Sequence, residues 1–131
     1  MTNVTLQPSA WPRPKGYANG MAARGRLVFT AGQVGWDVQG RFPLNLTEQV
    51  ESTLQNIVEV LAEADAKPEH VVRLTWYVTS RQEYLDQVKD IGVAYRRVMG
   101  KNFPAMAVVE VSGLMESDAK VEIEATAVVP D

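Results

Sequence analysis

Val50, Leu54, Ile57, Val58 and Leu61 recur at spacings of four, three, one and three, an apolar stripe that predicts an amphipathic helix reaching about Ala64. Asn45 or Thr47 can accept the free amides of its first turn, Glu48 and Glu51 sit near the positive end of its dipole, and Pro68 stops anything longer. Tyr84, Val88, Ile91, Tyr95 and Val98 fall at +4, +3, +4 and +3 and predict a second helix from about Gln82 to Met99, closed by Gly100. Between them Val71 to Thr79 alternates, with Val72, Leu74, Trp76 and Val78 on one face and Val71, Arg73, Thr75 and Tyr77 on the other. Both faces are largely apolar or aromatic. In so small a chain, such a strand predicts a helix on one side and another subunit on the other. Trp76 reads there as core or interface, with ligand contact as the competing reading.

Two further strands are predicted near the end, Ala105 to Val111 and Lys120 to Val129, joined by Gly113 to Asp118. In the last, Val121, Ile123, Ala125, Ala127 and Val129 share one side, and Glu122, Glu124, Thr126 and Val128 the other. At the front, Pro8, Pro12 and Pro14 favour an extended arm over residues 1–15. Tyr17 to Ala23 and Arg26 to Thr30 flank Arg24-Gly25 and predict a hairpin. The glycines of the stretch Gly32 to Gly40 suit a turning loop, and no Gly-Lys-Ser/Thr follows to make it a phosphate cradle. The order β-β-α-β-α-β-β predicts one α+β domain over residues 1–131, a two-layer sandwich with both helices on one face of a mixed sheet.

Composition narrows the chemistry. The 131 residues are 46% hydrophobic and 22% charged, as in folded globular chains. There is no cysteine and one histidine, which excludes disulfides, thiolate catalysis, Cys-containing metal sites and any poly-His site within one chain. Neither metal nor cofactor is expected. Thirteen basic against sixteen acidic residues leave a net charge of −3, the wrong sign for general nucleic-acid binding. No uncharged apolar stretch approaches the ~20 residues that span a bilayer, and no secretory signal is visible. A soluble cytoplasmic protein is expected.

Single residues say little. His70 stands at a loop-to-strand junction, where a solvated ring is ordinary, and Ser52, Ser80, Ser112 and Ser117 lie in no nucleophile context. Arg96, Arg97 and Lys101 compensate the negative end of the second helix, with substrate anchoring as the competing reading. Glu122, in the middle of an otherwise apolar strand with Glu124 on its face, lies either on a solvated face or in a wet pocket; alternation alone favours the first.

Taken together, several pieces carry a likeness: Gly16-Tyr17, Thr30-Ala31-Gly32-Gln33 after a strand, Gln49 and Asn56 in the first helix, Phe103-Pro104-Ala105 before a strand, and Val121-Glu122-Ile123-Glu124-Ala125 near the end. Over roughly residues 14–129 the chain resembles the RidA/YjgF family of reactive-intermediate deaminases. The resemblance implies a chorismate-mutase-like subunit, a homotrimer with a central β-barrel, and clefts between neighbouring subunits. It implies hydrolysis of an enamine or imine to a carbonyl compound and ammonia, without metal or organic cofactor. Glu122 would orient or deprotonate the water, Gly32 and the backbone of Val108 would position substrate or water, and Tyr17 would close the cleft.

One departure stands out. Where family members acting on small 2-imino acids carry a carboxylate-gripping arginine, this chain has Met106, which offers no donor. Three readings follow: a deaminase for another enamine, such as a 2-aminomuconate-like intermediate of aromatic catabolism, its acid groups met by Arg13, Arg24, Arg96 or Lys101; a non-catalytic trimeric module binding a small metabolite; or an endoribonuclease or translation inhibitor, which the acidic charge disfavours.

Overall fold

The computed structural model describes residues 3–131. Its elements run β1 (Val4–Leu6), β2 (Gly20–Ala22), β3 (Arg26–Phe29), α1 (Leu46–Ala62), a 3-10 turn (Pro68–His70), β4 (Val71–Val78), α2 (Arg81–Asp86), α3 (Val88–Met99), β5 (Ala105–Glu110) and β6 (Val121–Val129). The main sheet has the order β3-β6-β4-β5, antiparallel except for the parallel pair β4 and β5. Such a pair requires a crossover, here α2 and α3. The α+β sandwich with a mixed sheet is therefore the one its periodicities predict.

The core lies between the helices and one sheet face. Leu54, Ile57 and Leu61 of α1 and Ile91, Tyr95 and Met99 of α3 pack on Leu74, Trp76, Val78, Val121, Ile123 and Ala125. Asn45 caps α1, its side chain accepting from the Glu48 amide at 3.3 Å. No helix is long and apolar enough to cross a membrane among the described residues.

Three expectations are corrected. The hairpin does not form: β2 pairs with β1, within the proline-rich segment, while β3 pairs with β6. Strands do form at Gly20–Ala22 and Arg26–Phe29, but the partner of the second is the C-terminal strand. The second helix is two, broken at Gln87 (φ −108°, ψ 10°), whose side chain turns away to accept from the amide and hydroxyl of Thr47 at 3.1 and 2.7 Å, satisfying the start of α1. Val71 is buried with the helix-facing residues because the register against β6 shifts between Val71 and Arg73.

Gln49 fastens the far end of the core. Fully buried, it donates to the carbonyls of Pro43 (2.8 Å) and Asp118 (3.0 Å) and accepts from the Lys120 amide (2.8 Å), fixing where β6 begins. Gln49→Leu keeps the volume but leaves those backbone groups unpaired. It should destabilise the fold by about 2–4 kcal/mol, read as a lower urea midpoint at unchanged slope; a midpoint within error of wild type would refute this role.

Candidate functional site

Strand pairing sorts the candidate residues before any side chain is considered. Tyr77 is paired with Glu122 and Val109, and Thr75 with Glu124 and Ala107, so these share the sheet face that no helix covers. Leu74 is paired with Met106 and Ala125, and Trp76 with Val108 and Ile123, so Met106 and Val108 face the helices. The sequence-derived candidates thus fall into two groups.

The first group is Glu122 and Gly32. After β3, Thr30 exchanges backbone and side-chain hydrogen bonds with Ala125, and Gln33 exchanges two with Ile123. Between these anchors β6 has one residue, Glu124, against two, Ala31 and Gly32, a bulge that lays Gly32 beside the Glu122 side chain. A Cβ on Gly32 would stand 2.1 Å from Glu122 Oε2 and 2.7 Å from its carboxyl carbon, so only glycine admits the carboxylate here. Glu122 is half-buried and takes no hydrogen bond or ion pair from the described residues. Its neighbour Glu124 accepts from the Tyr77 hydroxyl at 2.9 Å, a bond that raises the Tyr77 pKa, with Glu122 adding to the same direction by its charge.

Two side chains of α1 hold this contact. Asn56 donates to the carbonyls of Val34 and Trp36, at 2.9 and 3.0 Å, and so pins the segment after Gly32, while Gln49 fixes the start of the strand bearing Glu122.

The second group lies in a cleft of about 630 Å³ between the outer strand β5 and helices α2 and α3. Ala18 donates to the Pro104 carbonyl at 3.0 Å and bridges Ala105, which brings Tyr17 against the end of β5. Tyr17, Met106 and Val108 all line the cleft. Its inner wall is a row of rings: Phe103 stacks on Tyr95 (centroids 5.5 Å), Tyr95 on Trp76 (6.3 Å), and Tyr84 meets Trp76 edge-on (6.4 Å). Burial raises the pKa of Tyr84 and Tyr95, so the wall bears no phenolate at neutral pH. The buried indole N–H of Trp76 finds no acceptor among the described residues, at a cost on the order of 1–3 kcal/mol.

Trp76 is therefore core and cleft wall at once. Tyr84 and Tyr95 read in the sequence only as a helix stripe, and nothing there showed that this stripe extends past the core into a cavity. His70 serves the fold: its Nδ1 accepts from the Lys67 amide at 2.9 Å and closes the 3-10 turn. Ser80 caps α2 by accepting from the Glu83 amide at 3.1 Å.

Residues 9–129 match the family described as Endoribonuclease L-PSP. The chain belongs to the RidA/YjgF family. Among its relatives, the RutC family protein slr0709 of Synechocystis is 31% identical, with 99% of each chain covered. The RutC family protein UK114 of Drosophila melanogaster is 33% identical over 78% of this chain and 72% of its own. YyfB of Yersinia pestis, a Rid family protein of unknown function, superposes with a TM-score of 0.83 at 31% identity, covering 98% of this chain and 100% of that one. TdcF of E. coli, solved with bound serine, gives 0.69 at 26% identity, over 96% and 98%.

The contact of Gly32 with Glu122 can be measured. Gly32→Ala must swing the carboxylate aside, costing about 0.5–1.5 kcal/mol for the forced rotamer. In a Glu122→Ala background the same change should be nearly free. A double-mutant cycle in urea should return a coupling of about 1 kcal/mol; additive effects would mean the two do not touch.

Proposed function

We propose that this chain is a homotrimeric enamine or imine deaminase whose sites lie between subunits. The observation that carries the reading is the separation just described. Glu122 with Gly32 lies on the open face of the sheet, and the cleft with Tyr17, Met106 and Val108 lies on the helix-covered face. A reaction that uses both needs them from different copies, which a ring of subunits supplies. The open face supports such a ring: Leu27 and Phe29 stand 60% and 66% exposed on it, and the same face carries Tyr77 and Val109.

The chemistry asks little of the protein. An enamine takes a proton at carbon to become the iminium; a water oxygen bonds to the iminium carbon as one of its protons passes to Glu122; Glu122 returns that proton to the carbinolamine nitrogen, and the C–N bond breaks as the hydroxyl gives its proton to Glu122, leaving a carbonyl compound and ammonia. Glu122 suits the addition of water because its carboxylate is held in place and has its lone pairs free. Gly32 offers backbone beside that carboxylate, and Val108 offers backbone on the strand facing the cleft. Tyr17, half-exposed at the cleft mouth, closes over bound substrate.

Met106 sets the choice of substrate. Losing a bidentate cation should cost on the order of 1.5–3 kcal/mol in binding a compact anion. The substrate is then not 2-aminoacrylate but a larger conjugated enamine, such as a 2-aminomuconate-like intermediate of aromatic-ring breakdown in the cytoplasm. The net charge of −3 offers RNA no general attraction, which favours this reading over ribonuclease action.

Purified protein should run as a trimer in light scattering and should accelerate ammonia release from an enzymatically generated conjugated enamine. Glu122→Gln should lower that rate roughly 100-fold or more with the trimer intact. A monomer, or equal rates for the two proteins, would reject the proposal.

A further inference from the structure

The cleft lost one guanidinium at Met106, and a second lines it from another element. Arg96, on α3, projects from the turn that follows Gly92, and both residues line the cleft. Gly92 is an interior helix residue with ordinary negative φ, a place where glycine is worth about 1 kcal/mol less than alanine and no turn demands it. A Cβ on Gly92 would stand 3.6 Å from Nη1 of Arg96, an ordinary van der Waals contact, so the guanidinium lies back over the turn of Gly92 and a larger side chain at position 92 would crowd it.

Its surroundings complete the argument. Neighbouring Arg97 is engaged by Glu51, Lys120 by Glu83 and Arg41 by Asp37, whereas Arg96 has no carboxylate within 4 Å among the described residues. Among the described residues no Asp or Glu of the same subunit lines the cleft; Lys15 is its other cation. The wall facing them is the row Tyr84, Trp76, Tyr95 and Phe103, closed by Tyr17 and Met106. A cation without a partner beside flat, uncharged rings is complementary to a planar conjugated body carrying a carboxylate. Helix-dipole compensation accounts for a basic residue at this end of α3, but not for one that lies unpaired on a cleft of aromatic rings.

We propose that Arg96 is the anion anchor of this cleft, taking the place of the arginine absent at Met106, and that the ligand it selects is a flat conjugated or aromatic carboxylate. The inference rests on the reading of the cleft as the substrate site, and it concerns binding alone.

Benzoate is the probe, with benzamide as its neutral counterpart and acetate as the anion without a ring, titrated calorimetrically into the assembled wild-type protein. Benzoate should bind with a Kd of roughly 1 mM, as its size allows, and shift the amide resonances of Tyr17 and Gly92. Arg96→Gln, an exposed change that leaves the core intact, should weaken benzoate at least about tenfold and benzamide less than about twofold. Gly92→Leu, which crowds the guanidinium, should weaken benzoate to a similar degree while α3 stays folded by circular dichroism. Lys15→Gln should do less than either. Benzoate affinity unchanged in Arg96→Gln, acetate bound as tightly as benzoate, or no benzoate binding at about 10 mM would each overturn the assignment. Glu122→Gln separates this from the deaminase proposal: it should abolish ammonia release while benzoate binding still depends on Arg96, so Arg96-dependent binding in a wild-type protein that releases no ammonia would defeat the reaction and keep the anchor, and ammonia release indifferent to Arg96 would do the reverse.

Discussion

A sheet covered by helices on one side only sorts its side chains by parity, and everything proposed for this chain depends on that sorting. Once Gln49 fixes the start of β6, the pairings of Tyr77 with Glu122 and of Trp76 with Ile123 are set, and each residue's face follows. A slip of one residue would bring Glu122 into the hydrophobic core against α1, where a carboxylate without a partner is costly, and would turn Ile123 outward. The carboxylate is thus held on the open face by the burial of its neighbours, with no bond of its own required.

Much of this was legible in the sequence, and the reason is physical. The stripes of α1 and α3 and the alternation of β4 and β6 are one-dimensional records of a single buried layer, so Leu54, Ile57, Leu74 and Ile123 could be assigned without coordinates. Pairing partners are not local. The short β2 matches β1 rather than β3, and no feature of Arg24-Gly25 indicates it. The break at Gln87 was hidden for the opposite reason: α2 and α3 stay close enough in phase that the apolar spacing runs through, while the cause of the break lies on α1, at Thr47.

For the candidate residues the sequence offers names and no geometry. Gly32, Glu122, Tyr17, Met106 and Val108 could be named from motifs, but their division between two faces is a property of register. Arg96 illustrates the limit best. In the sequence it is one of two adjacent arginines at a helix end, and the dipole explains both equally. The structure distinguishes them by direction: one position along the helix turns Arg97 to Glu51 and leaves Arg96 over the cleft.

An anchor on α3, as proposed for Arg96, would select differently from one on β5. A guanidinium at position 106 would project from β5 directly among the rings and would meet a small anion deep in the cleft. Arg96 instead reaches the same cleft from α3, over the turn that holds Gly92. A two- or three-carbon acid held by such an arm leaves the rings uncovered and gains no apolar burial, whereas a longer planar acid engages both. Each additional buried CH₂-sized unit is worth about 0.8 kcal/mol, so two or three of them offset the loss of one well-aligned charged contact. On this argument Met106 and Arg96 are coupled features: the thioether removes the short-range grip and adds apolar surface, and the cation on α3 supplies the longer-range one.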